Sequence, residues 1–249
     1  MQSNCLIVIP ARYASERFPG KVLHKLNGKP VLQWCYESAL RAGLGRVIIA
    51  TEHEKVLHFA KTIGAETCLT SPKCKSGTDR VFETALRNKR EFIINYQADE
   101  PFMEPGTLIK AFELLKKNPQ FHITTACSPI YDKKDLINPN TVKVALGKNS
   151  RAVYFSRIPI PFHHPLSAVS MKIPWYKHCG FYVYRYDALK KFVSLPESVL
   201  ESLERLEQLR ALEAGLCIGA VKVPRLGPAI DVRQDIKKAE QYLIKYIQQ

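Results

Sequence analysis

No apolar run in this chain approaches the ~20 residues that a membrane-spanning helix needs, so insertion into a bilayer is not expected. Nor does Met1 to Cys5 place a cationic segment ahead of a signal-like apolar core, and a cytoplasmic protein is expected. Cysteine lacks pattern: Cys5, Cys35, Cys68, Cys74, Cys127, Cys179 and Cys217 are odd in number, scattered and without a Cys-x-x-Cys pair. That spacing argues against a disulfide framework and a structural zinc, and leaves most of the thiols as small hydrophobes in apolar runs. The Gly-x4-Gly-Lys-Ser/Thr spacing of a P-loop is missing, as is any legible Ser-His-Asp or Cys-His arrangement. Acidic residues are scarce. Against 37 Lys and Arg stand 23 Asp and Glu, a formal charge of +14, which suits an acidic partner without saying which acid. Nucleic acid, a nucleoside triphosphate and a carboxylate sugar all qualify. The cations are spread along the chain, and no zinc-finger spacing or RNP-type aromatic motif accompanies them, which disfavours nucleic acid.

What is present reads as a single α/β domain over residues 1–249: a mostly parallel, twisted sheet with helices on both faces. Leu6 to Ile9 is a short, largely β-branched run, the mark of a doubly buried strand, and Pro10 ends it. A helix from Pro30 to Ala42, a strand at Val47–Ala50, a helix from Glu54 to Ile63 and a strand at Glu66–Leu69 give the order of a doubly wound sheet. Phe92 to Tyr96 is the central strand, and Glu104 to Lys117 a helix. From Pro129 to about Trp175 helical patterning disappears, prolines accumulate, and two strands meet near Gly147. Residues 129–185 are therefore expected as a β-rich excursion covering the site and supplying a dimer surface. His163 and His164, with no third ligand at usable spacing, read as a loop pair rather than a metal site.

The candidate chemistry sits at strand ends, where open α/β sheets bind ligands. After the first strand come Ala11, Ala14, Ser15 and Gly20 among Arg12, Arg17 and Lys21, small residues for close approach and cations for a polyphosphate. Cys74-Lys-Ser76-Gly77-Thr78-Asp-Arg80 opens a helix from about Arg80 to Asn88, with Ser76 or Thr78 as N-cap. After the central strand, Gln97-Ala-Asp99-Glu100 puts two carboxylates where they need cations or a metal, and one Asp suits Mg²⁺, which takes few carboxylates beside substrate phosphates. His53 at the end of Thr51-Glu-His reads as a capping or packing residue.

Pro10-Ala11-Arg12-Tyr-Ala-Ser-x-Arg17-x-Pro-Gly-Lys21 resembles the opening signature of the sugar-acid cytidylyltransferases, in the form of the branch acting on 3-deoxy-manno-octulosonate (Kdo). Further segments resemble that family over almost the whole chain. The resemblance implies a nucleotide-diphospho-sugar transferase-like fold, a homodimer, and transfer of CMP from CTP to Kdo for lipopolysaccharide supply. It implies that Pro10, Ala11, Arg12, Lys21, Ser76, Gly77, Arg80 and Gln97 hold the nucleotide. Asp99 and Asp231 would bind Mg²⁺, Asp231 coming from Ile230-Asp-Val, which otherwise reads as an N-cap. Lys21 and Arg12 would act with them in catalysis. For the sugar it implies Arg157 of Phe155-Ser-Arg, a two-donor fork suited to a carboxylate. To this it adds His178 and Tyr182 of a period-two strand. Glu207 and Gln208 complete the set, on a helix from Ser198 to Ala214 where spacing alone makes them surface residues. The family pattern has Gly where Ala98 and Ala229 stand, and Pro at Arg233. A sister enzyme for sialic acid and a non-catalytic nucleotide or nucleic-acid binder remain the alternatives.

Overall fold

A computed structural model of the chain describes residues 4–15, 17–162 and 175–246; His163 and His164 lie outside them. In chain order the elements are β1 (Cys5–Pro10), β2 (Lys25–Leu26), β3 (Lys29–Pro30), α1 (Val31–Arg41), β4 (Arg46–Thr51), α2 (Glu54–Thr62) and β5 (Glu66–Leu69). Then come α3 (Gly77–Arg87), β6 (Phe92–Asn95), α4 (Pro105–Lys117), β7 (Ile123–Pro129), α5 (Lys133–Ile137), β8 (Lys143–Leu146) and β9 (Ala152–Ser156). The rest are β10 (Tyr176–Arg185), α6 (Tyr186–Ser194), α7 (Val199–Glu204), α8 (Gln208–Glu213), β11 (Ile218–Lys222) and α9 (Asp235–Tyr246). The central strands β1, β4, β5 and β6 pair parallel, and with the helices between them this is the α/β class expected.

The chain divides into two compact units, one of Met1–Ile109, Gly180–Val193 and Gly227–Gln249, the other of Lys110–Cys179 and Ser194–Leu226. The stretch 129–185 contributes to both. In the first unit β1 is buried at every residue and lies between β4 and β6, parallel to both. β5 continues beyond β4, and the second half of β10 runs antiparallel on β6. The chain thus moves one way from β1 to β4 and β5 and the other way to β6. That reversal makes the carboxyl ends of β1 and β6 the sheet's switch point. In the second unit β11 pairs parallel with β7, while β8 lies antiparallel to both β9 and the start of β10.

Four local expectations are corrected. α3 starts at Gly77, not near Arg80, because Ser76 and Asp79 close a reciprocal capping box. Residues 133–137 are helical despite the prolines around them, with Asp132 capping Lys134 N–H. The expected single helix from Ser198 to Ala214 breaks at Arg205, whose φ of 54° is left-handed, into α7 and α8. Leu200, Leu203, Leu206, Leu209 and Leu212, spaced evenly through that stretch, carry no sign of the break. Gln208, expected at the surface, is buried.

Candidate active site

The loop leaving β1 is closed on itself and anchored to its neighbour strand. Ala11 N–H donates to Ala50 C=O at 2.8 Å. The carbonyl of Tyr13 accepts from both Ser15 and Gly20 N–H, at 3.1 and 3.0 Å. Gly20 sits at φ 71°, a left-handed turn that glycine takes without strain. Tyr13 stacks on His53 with ring centroids 4.1 Å apart, and its N–H reaches Glu52 Oε1 at 3.3 Å. His53 Nδ1 accepts from Lys55 N–H at the start of α2, the capping role expected of it. Arg12 lies exposed at the rim, donating to Lys75 C=O at 3.3 Å.

Three segments meet at Gly77. A methyl added there would lie 3.5 Å from the ring of Pro10 and 3.7 Å from Gln97 Oε1. The start of α3, the end of β1 and the loop after β6 therefore share one wall. Gln97 is oriented by Asn95 Oδ1 at 3.0 Å, and Asn95 in turn donates to Thr78 at 3.2 Å. Arg80 stands behind this wall, 1% exposed, paired with Glu52 at 2.8 Å and donating to Thr70 Oγ1. Its guanidinium joins α3 to the strand end that also holds Tyr13. Sequence reasoning passed over Glu52 for its neighbour His53, although a carboxylate after a buried strand was already the signal used at Asp99.

The carboxylates converge. Lys21, only 10% exposed, puts its ammonium 2.9 Å from Asp99 Oδ2 and 3.9 Å from Asp231 Oδ1. Arg17 pairs with the other oxygen of Asp231. The backbone fixes the approach: Ile230 N–H donates to Asp99 C=O at 2.9 Å. Asp231 does not cap α9. Asp235 in the first turn of α9 does the opposite, its Oδ2 accepting from Asp231 and Val232 N–H at 2.9 and 3.0 Å. Neither Ala98 nor Ala229 takes a left-handed backbone, so the departures from glycine bring no strain there. Arg233 lies over the Phe18 ring at 5.3 Å. The two Asp side chains remain 34% and 37% exposed. Two accessible carboxylates beside cations form a hard-oxygen donor set that fits a magnesium ion sharing its other positions with phosphate and water.

Residues 6–222 match the family whose description is Cytidylyltransferase. The chain belongs to the cytidylyltransferase family. Its relatives include the 3-deoxy-manno-octulosonate cytidylyltransferase of Elusimicrobium minutum, 44% identical over 96% of this chain and 98% of that protein. That of Acidobacterium capsulatum is 40% identical over 97% of each chain. A solved structure of CMP:2-keto-3-deoxy-manno-octonic acid synthetase complexed with CTP superposes with a TM-score of 0.90 at 36% identity, covering 98% of this chain and 99% of that one.

The residues expected around the sugar of this cytidylyltransferase fall in both units. In the first, Tyr182 of β10 is buried, opposite Asn95 in register and 5.8 Å from the Tyr184 ring. In the second, His178 Nε2 lies 3.0 Å from Thr125 Oγ1, which itself donates to Cys179 C=O at 2.9 Å. The hydroxyl proton is thereby committed, so the imidazole proton is assigned to Nε2. Loss of hydration pushes the His178 pKa down to about 3, so the ring is neutral near pH 7. Glu207 is the N-cap position of α8 and Gln208 its first residue. Arg157 differs from the expected carboxylate fork in what it touches. Its Nε, Nη1 and Nη2 donate to the carbonyls of Glu204, Pro139 and Arg205, at 2.6, 2.9 and 3.2 Å. A guanidinium committed to backbone in this way holds the chain.

Proposed function

We propose that this cytidylyltransferase activates Kdo with CTP, releasing pyrophosphate and giving CMP-Kdo for lipopolysaccharide synthesis. The observation that carries the reading is the meeting of Asp99 and Asp231 on Lys21, in a chain whose full-length relatives bear that enzyme's name. The anomeric hydroxyl of the sugar acid attacks the α-phosphorus in line, and the pyrophosphate leaves. Such chemistry needs positioning and charge neutralisation rather than a covalent intermediate.

Pro10, Ala11, Ser76, Gly77 and Gln97 shape the nucleotide wall, with Arg80 supporting it from behind. Lys21 and Arg12 stabilise charge on the departing pyrophosphate. Asp99 and Asp231 would hold Mg²⁺, which when bound supplies a Lewis acid that neutralises phosphate charge and lowers the pKa of the sugar hydroxyl. In the free protein Lys21 and Arg17 are the counterions of those carboxylates. Tyr182, His178, Glu207 and Gln208 contact the sugar. Because His178 is neutral, it serves as a hydrogen-bonding group and not as a proton donor at neutral pH.

The reading includes a cytoplasmic homodimer. Among the described residues no helix is long and apolar enough to cross a membrane, and light scattering of the purified protein tests the dimer. Pyrophosphate release from CTP and Mg²⁺ with a panel of sugar acids tests the reaction. Kdo is expected to turn over; turnover of sialic acid in its place refutes the substrate, and salt-sensitive nucleic-acid binding without turnover refutes the enzyme.

A further inference from the structure

Lys143 is completely buried in β8, opposite Ser156 of β9 on one side and Lys177 of β10 on the other. Its ammonium donates to two backbone carbonyls, Asn138 at 2.8 Å and Arg157 at 2.7 Å. Burial and the neighbouring Arg157 pull its pKa down, while Asp135 and Glu204 pull it back. A cation in such a place is unfavourable unless its donors are met and the surroundings fixed.

The surroundings are fixed by Glu204. One carboxylate oxygen accepts from Ser156 Oγ at 2.6 Å and the other from Arg157 N–H at 2.9 Å. Arg157 closes the circuit through its three bonds to the carbonyls of Glu204, Pro139 and Arg205. Three side chains thus join the turn at 138–139, the end of β9, and the corner where α7 breaks at the left-handed Arg205. A non-glycine residue in that conformation persists only where its environment holds it. The corner leads directly into Glu207 and Gln208. A solvated helix break would need none of this.

We propose that Lys143 and Glu204 are positioning residues which, through Arg157, hold the corner between α7 and α8 so that Glu207 and Gln208 meet the sugar acid. The inference rests on the proposed function for its ligand. It does not rest on it for the geometry.

The test uses the full chain with Lys143→Met, Glu204→Leu and the conservative Glu204→Gln. Glutamine keeps an oxygen for Arg157 N–H and turns its amide toward Ser156 Oγ. Lys143→Met and Glu204→Leu are expected to raise KM for Kdo about tenfold or more while leaving KM for CTP within about twofold. Amides of 205–209 in the free protein should exchange with deuterium about tenfold faster. Glu204→Gln should stay within about threefold on each measure. CTP affinity and thermal unfolding check that the variants are folded; if Lys143→Met is not, the Glu204 pair decides. An unchanged KM for Kdo in a folded variant overturns the proposal, as does a parallel loss of Kdo and CTP affinity. If the unsubstituted protein turns over no Kdo, the functional reading fails by itself. Unchanged exchange at 205–209 in Lys143→Met then overturns the corner clamp, and faster exchange sustains it.

Discussion

The two units each bury a lysine, and the partners differ. Lys21 faces two carboxylates that keep a third of their surface open, with Arg17 competing for one of them. Lys143 faces carbonyls in a place with no exposed surface. Carboxylates beside water can exchange a lysine for a metal ion, and the lysine can then turn to a phosphate; carbonyls in a closed network offer no such exchange. On the proposed function, the same residue type thus serves chemistry in one unit and shape in the other. The deciding quantity is whether the partner charge is accessible.

The comparison is most easily broken at the carboxylates. Chelation of divalent ions should abolish pyrophosphate release and added Mg²⁺ restore it, and Asp99→Asn or Asp231→Asn should lower kcat by about 10²–10³ with the fold intact by circular dichroism. Lys21→Met should lower kcat about 10²-fold. Because it removes the resident counterion, it should also tighten Mn²⁺ binding to the nucleotide-free protein, read by electron paramagnetic resonance. An equal loss of stability in both Lys21→Met and Lys143→Met would erase the distinction. Gly227→Ala tests the frame rather than the charges. A methyl there would lie 2.5 Å from Phe102 Cβ, so a destabilisation of about 1–3 kcal/mol is expected in urea unfolding.

The smallest effect concerns His178. Its folded pKa of about 3 lies below the ordinary 6.5. Between those values the unfolded chain binds the extra proton, so this contribution is whole above pH 6.5 and is lost as pH falls towards 3. His178→Gln should flatten the fall of Tm over that window, and an unchanged slope would remove His178 as the cause.

The sheet was legible because buried parallel strands announce themselves: Leu6–Ile9, Val47–Ala50 and Phe92–Tyr96 recur in β1, β4 and β6. That the loop after β1 and Asp99 lie at strand ends was legible from the apolar runs that precede them. Asp231 was not, on its spacing alone; it resembled a helix cap, whereas its own N–H is held by Asp235 at the start of α9. The corner at Arg205 was invisible, since a left-handed arginine held by side chains from elsewhere leaves no local pattern. Nothing in the sequence marks Lys143, because burial of a charge is decided by neighbours distant in the chain. The partners of Arg157 were invisible as well: its type suggested a clamp for a carboxylate, and three of its donors meet backbone carbonyls from distant segments.

The hydrogen bond from Ile230 to the carbonyl of Asp99 has a consequence in time. A ribosome that has finished every strand through β11 has still made only one of the two acidic groups, and the second arrives with the segment that docks back onto the first. On the proposed function, nascent protein stays catalytically silent until that last segment has docked.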